Sequence, residues 1–306
     1  MIEIFTGFAV IALAVVVGYV TARSGLLGQG AVTVLARLTF NVLAPFLLFS
    51  VLATADVGAL FSSLLPVSAI AALTVMAGYA VIARLAWRRD AGRTVIGALG
   101  SGYVNANNIG IPIAVYMLGD AAYSAPIVLL QLLVFAPVAL ATLDGRVNGR
   151  VSVRGILRST LANPIIVSSL AGLLVALSGL RLPPLVLVPI ETIGHAAVPV
   201  MLISFGMSLA GQRVLEPGSG RRDVVLASLL KLFAMPATAY LVGRFGFGLD
   251  PHSLYVVTIL GALPSAQNVF LYAQRYRVAE TVARDTVFLT TLGSLPVLFA
   301  TALLLG

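Results

Sequence analysis

The sequence has no cysteine among its 306 residues, and its only histidines are His195 and His252. Disulfide bonds and thiolate metal sites are therefore excluded. Two histidines are too few for an ordinary histidine metal site unless carboxylates complete it. The sequence also lacks a His-Glu-x-x-His motif and any serine–histidine spacing that stands out. We therefore expect no metal cofactor and no enzymatic activity.

Charged residues are scarce as well. Only 10% of the residues are charged and 59% are hydrophobic, and the mean hydropathy is +1.05. A soluble domain of this length needs a larger charged surface. Apolar runs of about 20 residues, long enough to cross a bilayer core of about 30 Å, recur along the whole chain. The composition therefore predicts an all-α integral membrane protein.

Hydropathy predicts ten transmembrane helices in this chain. The first apolar run is longer than the core of a signal peptide and no basic residue precedes it, so we interpret it as a retained helix. The predicted spans lie near 4–22, 32–53, 60–83, 94–118, 121–143, 156–177, 185–210, 224–243, 254–273 and 282–305.

The basic residues fall on one side of this predicted topology. If the N-terminus is outside, 17 of the 19 basic residues lie on the cytoplasmic side, and only Arg181 and Arg244 lie on the other. The positive-inside rule then places both termini in the periplasm. The formal net charge of +8 belongs to these loops, so no nucleic-acid partner is expected. Abundant arginine, alanine, valine and glycine favour a bacterial source and hence the inner membrane.

Two groups of basic residues have expected positions. The arginines between Arg84 and Arg93, with Trp87, are expected to anchor the chain at the membrane interface. Lys231 is the one lysine of the sequence and lies about two turns into the eighth span. We expect its long side chain to reach the cytoplasmic boundary.

A weak internal repeat divides the chain into two halves. Ser24-Gly25-Leu26 and Ser178-Gly179-Leu180 are 154 residues apart, and Pro45 and Pro199 have the same offset. Five spans precede the midpoint and five follow, so the second copy would insert with inverted orientation, as in many secondary transporters. Chance similarity between apolar segments is the alternative. We predict repeats over 1–150 and 151–306.

The fourth span contains the most informative motif. Three of the seven asparagines in the chain lie between Asn105 and Asn108, in the middle of this span. Asparagine is costly in hydrocarbon unless its amide is paired, and the neighbouring glycines and proline interrupt the helix. This pattern predicts a broken helix that lines a binding site, with Asn105, Asn107, Asn108, Ile111 and Pro112 as its candidate residues.

The ninth span contains a second interrupted segment. Its candidate site residues are Pro264, Ser265, Gln267 and Asn268. Matched interruptions in two repeats point to the substrate site of a transporter, and the N-termini of half helices attract anions. The deep membrane also lacks a clear acidic residue, since Asp56, Asp120 and Asp250 all read as loop residues. These features favour a small carboxylate as the ligand, although the asparagines could instead only join helices.

The seventh span supplies a possible accessory residue. His195 aligns with Asn41 through the repeat offset of 154. Both are candidate accessory residues of the site. The simpler expectation is that His195 is a neutral side chain hydrogen-bonded to a neighbouring helix.

These motifs resemble the auxin efflux carrier family along essentially the whole chain. The similar segments are Asn105 to Pro112, Asn163-Pro164, Pro199 to Leu209, and Leu263 to Asn268. The resemblance implies a ten-helix inverted repeat related to bile-acid symporters and sodium/proton antiporters, with helices 4 and 9 broken and crossing at the substrate. It also implies that Asn107, Asn108, Pro112, Pro264 and Asn268 line the crossover.

The resemblance further implies two functional parts. Helices 1, 2, 6 and 7 would form a scaffold through which the protein dimerises, and helices 3–5 and 8–10 would form a moving transport domain. This sequence lacks the long cytoplasmic loop of plant auxin carriers, so it is similar to a compact bacterial member. Such members are associated with small dicarboxylates, such as malate or malonate, and with indole acids.

The sequence therefore predicts an elevator-type carrier of small organic carboxylates. A sodium-coupled organic anion symporter of the bile-acid type and a non-transporting membrane sensor with the same fold are the alternatives. Coupling to Na⁺ or H⁺ is open at this point.

Overall fold

The structure of the chain is a computed structural model. It describes residues 2–28, 30–55, 63–147, 153–210 and 220–306, and the regular elements of these residues are helices. We number the helices in chain order: α1 Ile2–Ser24, α2 Ala31–Thr54, α3 Leu64–Ala86, α4 Ala91–Gly102, α5 Ala106–Leu118, α6 Ala121–Gly145, α7 Val153–Leu161, α8 Pro164–Ser178, α9 Pro184–Ser208, α10 Arg221–Gly246, α11 Pro251–Ala262, α12 Gln267–Tyr276 and α13 Glu280–Leu305.

Several helices are suited to a lipid environment. Within the described residues, α2, α3, α6, α9, α10 and α13 are long and apolar enough to cross a membrane. Large apolar side chains are exposed on helix surfaces, for example Leu13 of α1 and Leu185 of α9. Apolar residues on the outside as well as the inside are typical of helices that contact lipid. The prediction of a multi-pass, all-helical membrane protein is confirmed.

Three predicted spans are interrupted. The fourth is divided into α4 and α5, and the ninth into α11 and α12, as the glycine and proline residues there predict. The sixth span is also divided, which the hydropathy profile does not show. Its second part, α8, begins at Pro164, and the Asn163 side chain caps it by accepting the Ile165 N–H at 2.9 Å. Asparagine at the cap and proline at the first helical position favour a helix start.

The chain forms two compact units. The first contains 1–62, 107–129 and 159–212, and the second contains 63–106, 130–158 and 213–306. Each unit therefore draws segments from both predicted repeats, 1–150 and 151–306. The division into scaffold helices and transport helices stays a prediction.

Two glycines allow close helix packing in the first unit. A Cβ atom at Gly18 of α1 would lie 2.1 Å from the carbonyl oxygen of Ile203 in α9. A Cβ atom at Gly172 of α8 would lie 2.5 Å from the carbonyl oxygen of Phe49 in α2. Gly18 and Gly172 are 154 residues apart, and so are Phe49 and Ile203. The two contacts are thus equivalent under the repeat offset, and small residues at such positions let membrane helices approach closely.

The second unit shows a repeat with a different offset, of 160 residues. Asp90 caps the N-terminus of α4, and Asp250 caps that of α11. Arg88 and Gly248, two residues before these caps, both have left-handed backbone with φ of 52° and 60°. Hydrogen bonds from the Ser253 side chain and backbone N–H hold the pKa of Asp250 below its ordinary value. The sequence comparison by a single offset of 154 does not detect this second set of matches.

Two acidic side chains are buried near the starts of helices, and the prediction that the deep membrane lacks a clear acidic residue stays a prediction. Asp223 of α10 and Asp285 of α13 are both fully buried. Asp285 pairs with Arg284 at 2.9 Å, and Asp223 pairs with Arg89 at 2.8 Å and with Arg93 at 2.9 Å. Because each carboxylate has an arginine partner near a helix end, the burial of its charge is compensated.

The arginines before α4 therefore do more than anchor the chain at the interface. Arg89 donates two hydrogen bonds to Asp223, and Tyr79 of α3 donates a third at 3.0 Å. Gly97 makes room for the Tyr79 ring, because a Cβ atom there would lie 2.1 Å from the phenol oxygen. Asp223 also lies in the first turn of α10, where a negative charge is favoured. This cluster joins α3, α4 and α10 within the second unit.

Three residues on which the sequence predictions rest lie outside the described ranges. These are Asp56, Arg150 and Arg213. The remaining acidic residues read as loop residues, Asp120 and Asp250, do lie between helices, where each caps the helix that follows.

We expect that Gly172→Ala destabilises the protein. Its new Cβ atom would meet the backbone of Phe49, and such overpacking typically costs about 1–3 kcal/mol. Gly78→Ala in α3 is the matched control, because no atom lies within 4 Å of its added Cβ. Thermal unfolding of the purified protein in detergent measures both. An apparent melting temperature that falls equally in the two variants would contradict the close contact.

Asp223→Asn should also lower the stability. It removes the charge that pairs with Arg89 and Arg93, and breaking a buried ion pair costs about 3 kcal/mol at the low end of the usual range. The low end applies because both arginines keep more than a quarter of their side-chain surface exposed. Asp120→Asn is the control, since asparagine caps a helix as well as aspartate does. A loss for Asp120→Asn as large as that for Asp223→Asn would argue against the cluster.

Candidate functional site

The candidate site is built on the two helix breaks of the second unit. Helix α4 ends at Gly102, and its C-terminal neighbour Tyr103 is extended, with φ of −88° and ψ of 101°. Helix α11 ends at Ala262, and Leu263 is extended with φ of −57° and ψ of 148°. Leu263 precedes Pro264, whose ring disfavours helical backbone at the residue before it. The sequence therefore breaks both helices through local backbone preferences.

The two extended segments pair with each other in antiparallel fashion. The N–H of Asn105 donates to the carbonyl of Pro264 at 2.8 Å, and the N–H of Ala266 donates to the carbonyl of Tyr103 at 2.9 Å. Between these bonds, Val104 and Ser265 lie opposite each other. These backbone groups are buried away from water. The crossing therefore provides hydrogen-bond partners for groups that the helix breaks would otherwise leave unpaired.

Side chains complete the pairing around Ser265. Its backbone N–H donates to the hydroxyl of Thr290 in α13 at 3.1 Å, and its own hydroxyl donates to the carbonyl of Gly100 in α4. The Thr290 hydroxyl in turn donates to the carbonyl of Thr286 at 2.7 Å. The break of α11 is thereby held against both α4 and α13.

Five of the predicted site residues come together in the second unit. Asn105, Pro264 and Ser265 are buried at the crossing itself. Gln267 and Asn268 are half-buried and form the first turn of α12. No side chain caps this N-terminus, at which Ala266 is the cap residue.

Four further predicted residues belong to α5 in the first unit. Asn107 donates through Nδ2 to Oδ1 of Asn108 at 3.1 Å, and both are half-buried. Within the described residues, Oδ1 of Asn107 is buried and has no hydrogen-bond partner. Ile111 and Pro112 are buried in the first turns of the same helix.

The two carboxamide pairs occupy equivalent positions. Asn107 and Asn108 precede Gln267 and Asn268 by 160 residues, which is the offset of the second unit's repeat. Both pairs are half-buried and both directly follow six buried residues, 101–106 and 261–266. Matched breaks with carboxamides at the start of the following half helix are the pattern expected for a transporter site.

The accessory candidates Asn41 and His195 lie elsewhere, in the first unit. Asn41 is exposed and donates to the carbonyl of Arg37 at 2.8 Å. His195 is exposed at the end of the first part of α9, and its side chain makes no hydrogen bond within the described ranges. The expected bond from His195 to a neighbouring helix is therefore wrong. An accessory role for either residue stays a prediction.

Three residues at the crossing are absent from the sequence prediction. Thr290 accepts the backbone N–H of Ser265. Tyr103 is buried beside Asn268 and Tyr272, with the two tyrosine rings edge-on and their centroids 6.4 Å apart. The third is Lys231, which is fully buried, so the expectation that it reaches the membrane boundary is wrong. The signal that could have identified Lys231 is its position, since the only lysine of the chain lies inside an apolar span.

Comparison with known proteins assigns the chain to a family. The family model described as membrane transport protein matches residues 3–143 and again residues 140–301. Together the two matches cover nearly the whole chain. The chain belongs to the membrane transport protein family. The model matches each half separately, which agrees with the internal repeat seen in the sequence.

Individual proteins with similar sequences match only part of this chain. A Rhizobium meliloti (strain 1021) protein named "Putative malonate transporter" is 30% identical over 62% of this chain and 60% of its own length. An uncharacterized transporter of Methanocaldococcus jannaschii is 23% identical over 63% of each chain. A rice protein named "Probable auxin efflux carrier component 5b" is 34% identical over 36% of this chain and 29% of its own length. The chain thus spans less than two thirds of these relatives, and the resemblance to auxin efflux carriers is confirmed.

We expect Thr290→Val to weaken the crossing. Valine keeps the shape of the side chain but leaves the buried Ser265 N–H without an acceptor, which typically costs about 1–3 kcal/mol. Thr286→Val is the matched control, because the buried Thr286 hydroxyl has no hydrogen-bond partner among the described residues. Thermal unfolding in detergent compares the two variants. Equal stability of both would show that the Thr290 bond contributes nothing.

Proposed function

We propose that this chain is a secondary transporter of small organic carboxylates, malonate-like or indole-acid-like, which bind at the crossing of the two helix breaks. The observation that carries this proposal is the first turn of α12. It begins directly after the crossing, lacks a side-chain cap, and presents the half-buried carboxamides of Gln267 and Asn268. A positive helix end and amide donors together favour an anion.

The charge at the crossing supports an anion over a cation. Residues 103–108 and 263–268 contain no acidic side chain, so neutral donors are the groups available there. The buried acids Asp223 and Asp285 are already paired with arginines. A substrate cation would need oxygen ligands or a carboxylate, whereas a carboxylate can be bound by amides and backbone N–H groups alone.

The substrate class rests on chemistry and on names of relatives. The Rhizobium protein is named for malonate and the rice protein for auxin, and both ligands are small acids. A carboxylate group is the feature that malonate, malate and indole-3-acetate share. We therefore propose the carboxylate as the recognised group.

The proposed architecture is a ten-helix inverted repeat that works as an elevator. The equivalent contacts at an offset of 154 and the equivalent caps at an offset of 160 support two copies of one five-helix unit. In the proposed mechanism the transport helices 3–5 and 8–10 carry the bound acid past the scaffold helices 1, 2, 6 and 7. We place the protein in the bacterial inner membrane with both termini periplasmic, as a homodimer formed through the scaffold.

Uptake into proteoliposomes tests this function. We would measure labelled malonate, malate and indole-3-acetate for the wild type, Asn268→Ala and Asn107→Ala. Loss of a hydrogen bond to a charged group costs about 1.5–3 kcal/mol, so uptake by each variant should fall at least about 10-fold. Gln274→Ala is the matched control, because it removes an exposed carboxamide from the same helix as Asn268.

The outcomes separate the competing functions. Saturable uptake of one of these acids, lost in Asn268→Ala and kept in Gln274→Ala, supports the carrier. Binding of an acid without any flux would instead identify a sensor with this fold. Neither uptake nor binding of any of the three acids would refute the carboxylate assignment.

A further inference from the structure

The buried amine of Lys231 occupies a distinctive position in the second unit. Lys231 lies in α10, in the π-helical turn Leu230–Ala234, and its side chain is completely buried. Its Nζ atom donates to the carbonyl oxygen of Gly261 at 2.6 Å and lies 3.1 Å from Sδ of Met235. Single π turns inside α-helices are frequent at functional sites.

The carbonyl that Lys231 contacts is one that the break of α11 leaves free. In a continuous helix, the Gly261 carbonyl would accept the N–H of residue 265. Here the Ser265 N–H donates to Thr290 instead. The preceding carbonyl, that of Leu260, would need the N–H of residue 264, which is a proline and has none. The break of α11 therefore removes the helical donors of these two carbonyls, and Lys231 pairs with that of Gly261.

This end of a half helix is where a transporter ordinarily holds a coupling cation. The C-terminal end of a helix carries partial negative charge, and free carbonyls at the breaks of transporter helices coordinate Na⁺. An ammonium group supplies the same positive charge at the same kind of oxygen. It differs from a bound ion in being covalently attached to the chain.

The charge of Lys231 is not cancelled by a carboxylate. Among the described residues, the ion pairs join Arg89 and Arg93 to Asp223, and Arg284 to Asp285. An isolated buried cation is costly unless something compensates it. The helix end provides part of this compensation, and an anionic substrate at the crossing, three residues further along the chain from Gly261, would provide more.

We propose that the Lys231 ammonium is a built-in cation that replaces a coupling sodium ion at the break of α11, so that this protein carries its acid without sodium. This inference rests on the proposed function for its transport part. It distinguishes this chain from a sodium-coupled symporter of the bile-acid type. It also assigns Lys231 a role in substrate affinity without direct contact with the substrate.

Sodium replacement tests the transport part. Malonate uptake by wild-type proteoliposomes should be equal when N-methyl-D-glucamine replaces sodium on both sides. Lys231→Met, which keeps the length of the side chain but removes its charge, should lower uptake at least about 10-fold in either medium, as expected for the loss of a charged group from a buried site. Arg244→Met is the control, since it removes an exposed cation from the same helix. Uptake by the wild type that needs sodium would overturn the proposal.

Two measurements on the purified wild type do not depend on transport or on the folding of a variant. First, biosynthetic ¹³C,¹⁵N-lysine labels a single residue, and its NMR shift at neutral pH should be that of an ammonium group. Second, the melting temperature should be the same in sodium and potassium chloride, because a bound sodium ion would stabilise the folded state.

These measurements keep the two proposals distinguishable. A neutral amine signal, or stabilisation specific to sodium, contradicts the built-in cation whatever the transport result. If no acid is taken up in either medium, the proposed function fails, while an ammonium signal without a sodium effect still supports the role of Lys231 at the helix end.

Discussion

The structure depends on one constraint, which is that backbone groups freed by two helix breaks must find partners away from water. Glycine and proline end α4 and α11 in the interior of the second unit. The extended residues after each break then pair with each other, and Thr290 accepts the Ser265 N–H, which this pairing does not use. Each of these bonds joins elements that are far apart in sequence. The crossing therefore interrupts both helices, and its hydrogen bonds join distant segments of the second unit.

The repeat explains how one chain produces two such breaks with matching surroundings. Equivalent glycine contacts in the first unit and equivalent aspartate caps in the second recur at constant offsets. The copies have nonetheless diverged in charge. Asp223 gathers Arg89, Arg93 and Tyr79 at the start of α10, and Lys231 pairs with the end of α11. The divergence makes the charge distribution of the two repeats asymmetric, which would suit the proposed binding of a charged ligand.

The two helix ends at the break of the ninth span differ in polarity, as expected for a member of the membrane transport protein family. At the break of the ninth span, the N-terminus of α12 is uncapped, whereas the C-terminus of α11 is in contact with an ammonium group. The first arrangement favours an anion, and the second fills the place of a cation. An anion carrier that contains its own positive charge needs no second ligand to neutralise the helix end. The same geometry would be unfavourable for a cation substrate, because Lys231 would repel it.

The sequence by itself determined the membrane environment, the all-helical class and the two helix breaks, because hydropathy, glycine and proline act locally. It also identified Asn105, Pro264 and Ser265, since an amide or a proline in an apolar span is conspicuous and Ser265 lies beside such a proline. Only the tertiary structure revealed the partners. The burial of Asp223, its pairing with Arg89, the bond from Ser265 to Thr290 and the contact of Lys231 with Gly261 all join residues separated by at least 25 positions. The sequence suggested an interfacial anchor and a lysine at the membrane boundary, because a charged side chain in isolation is most stable near water. Packing reversed the expectation for Lys231 and added a carboxylate partner to the arginines, since a partner brought in by the fold compensates a charge that local sequence cannot.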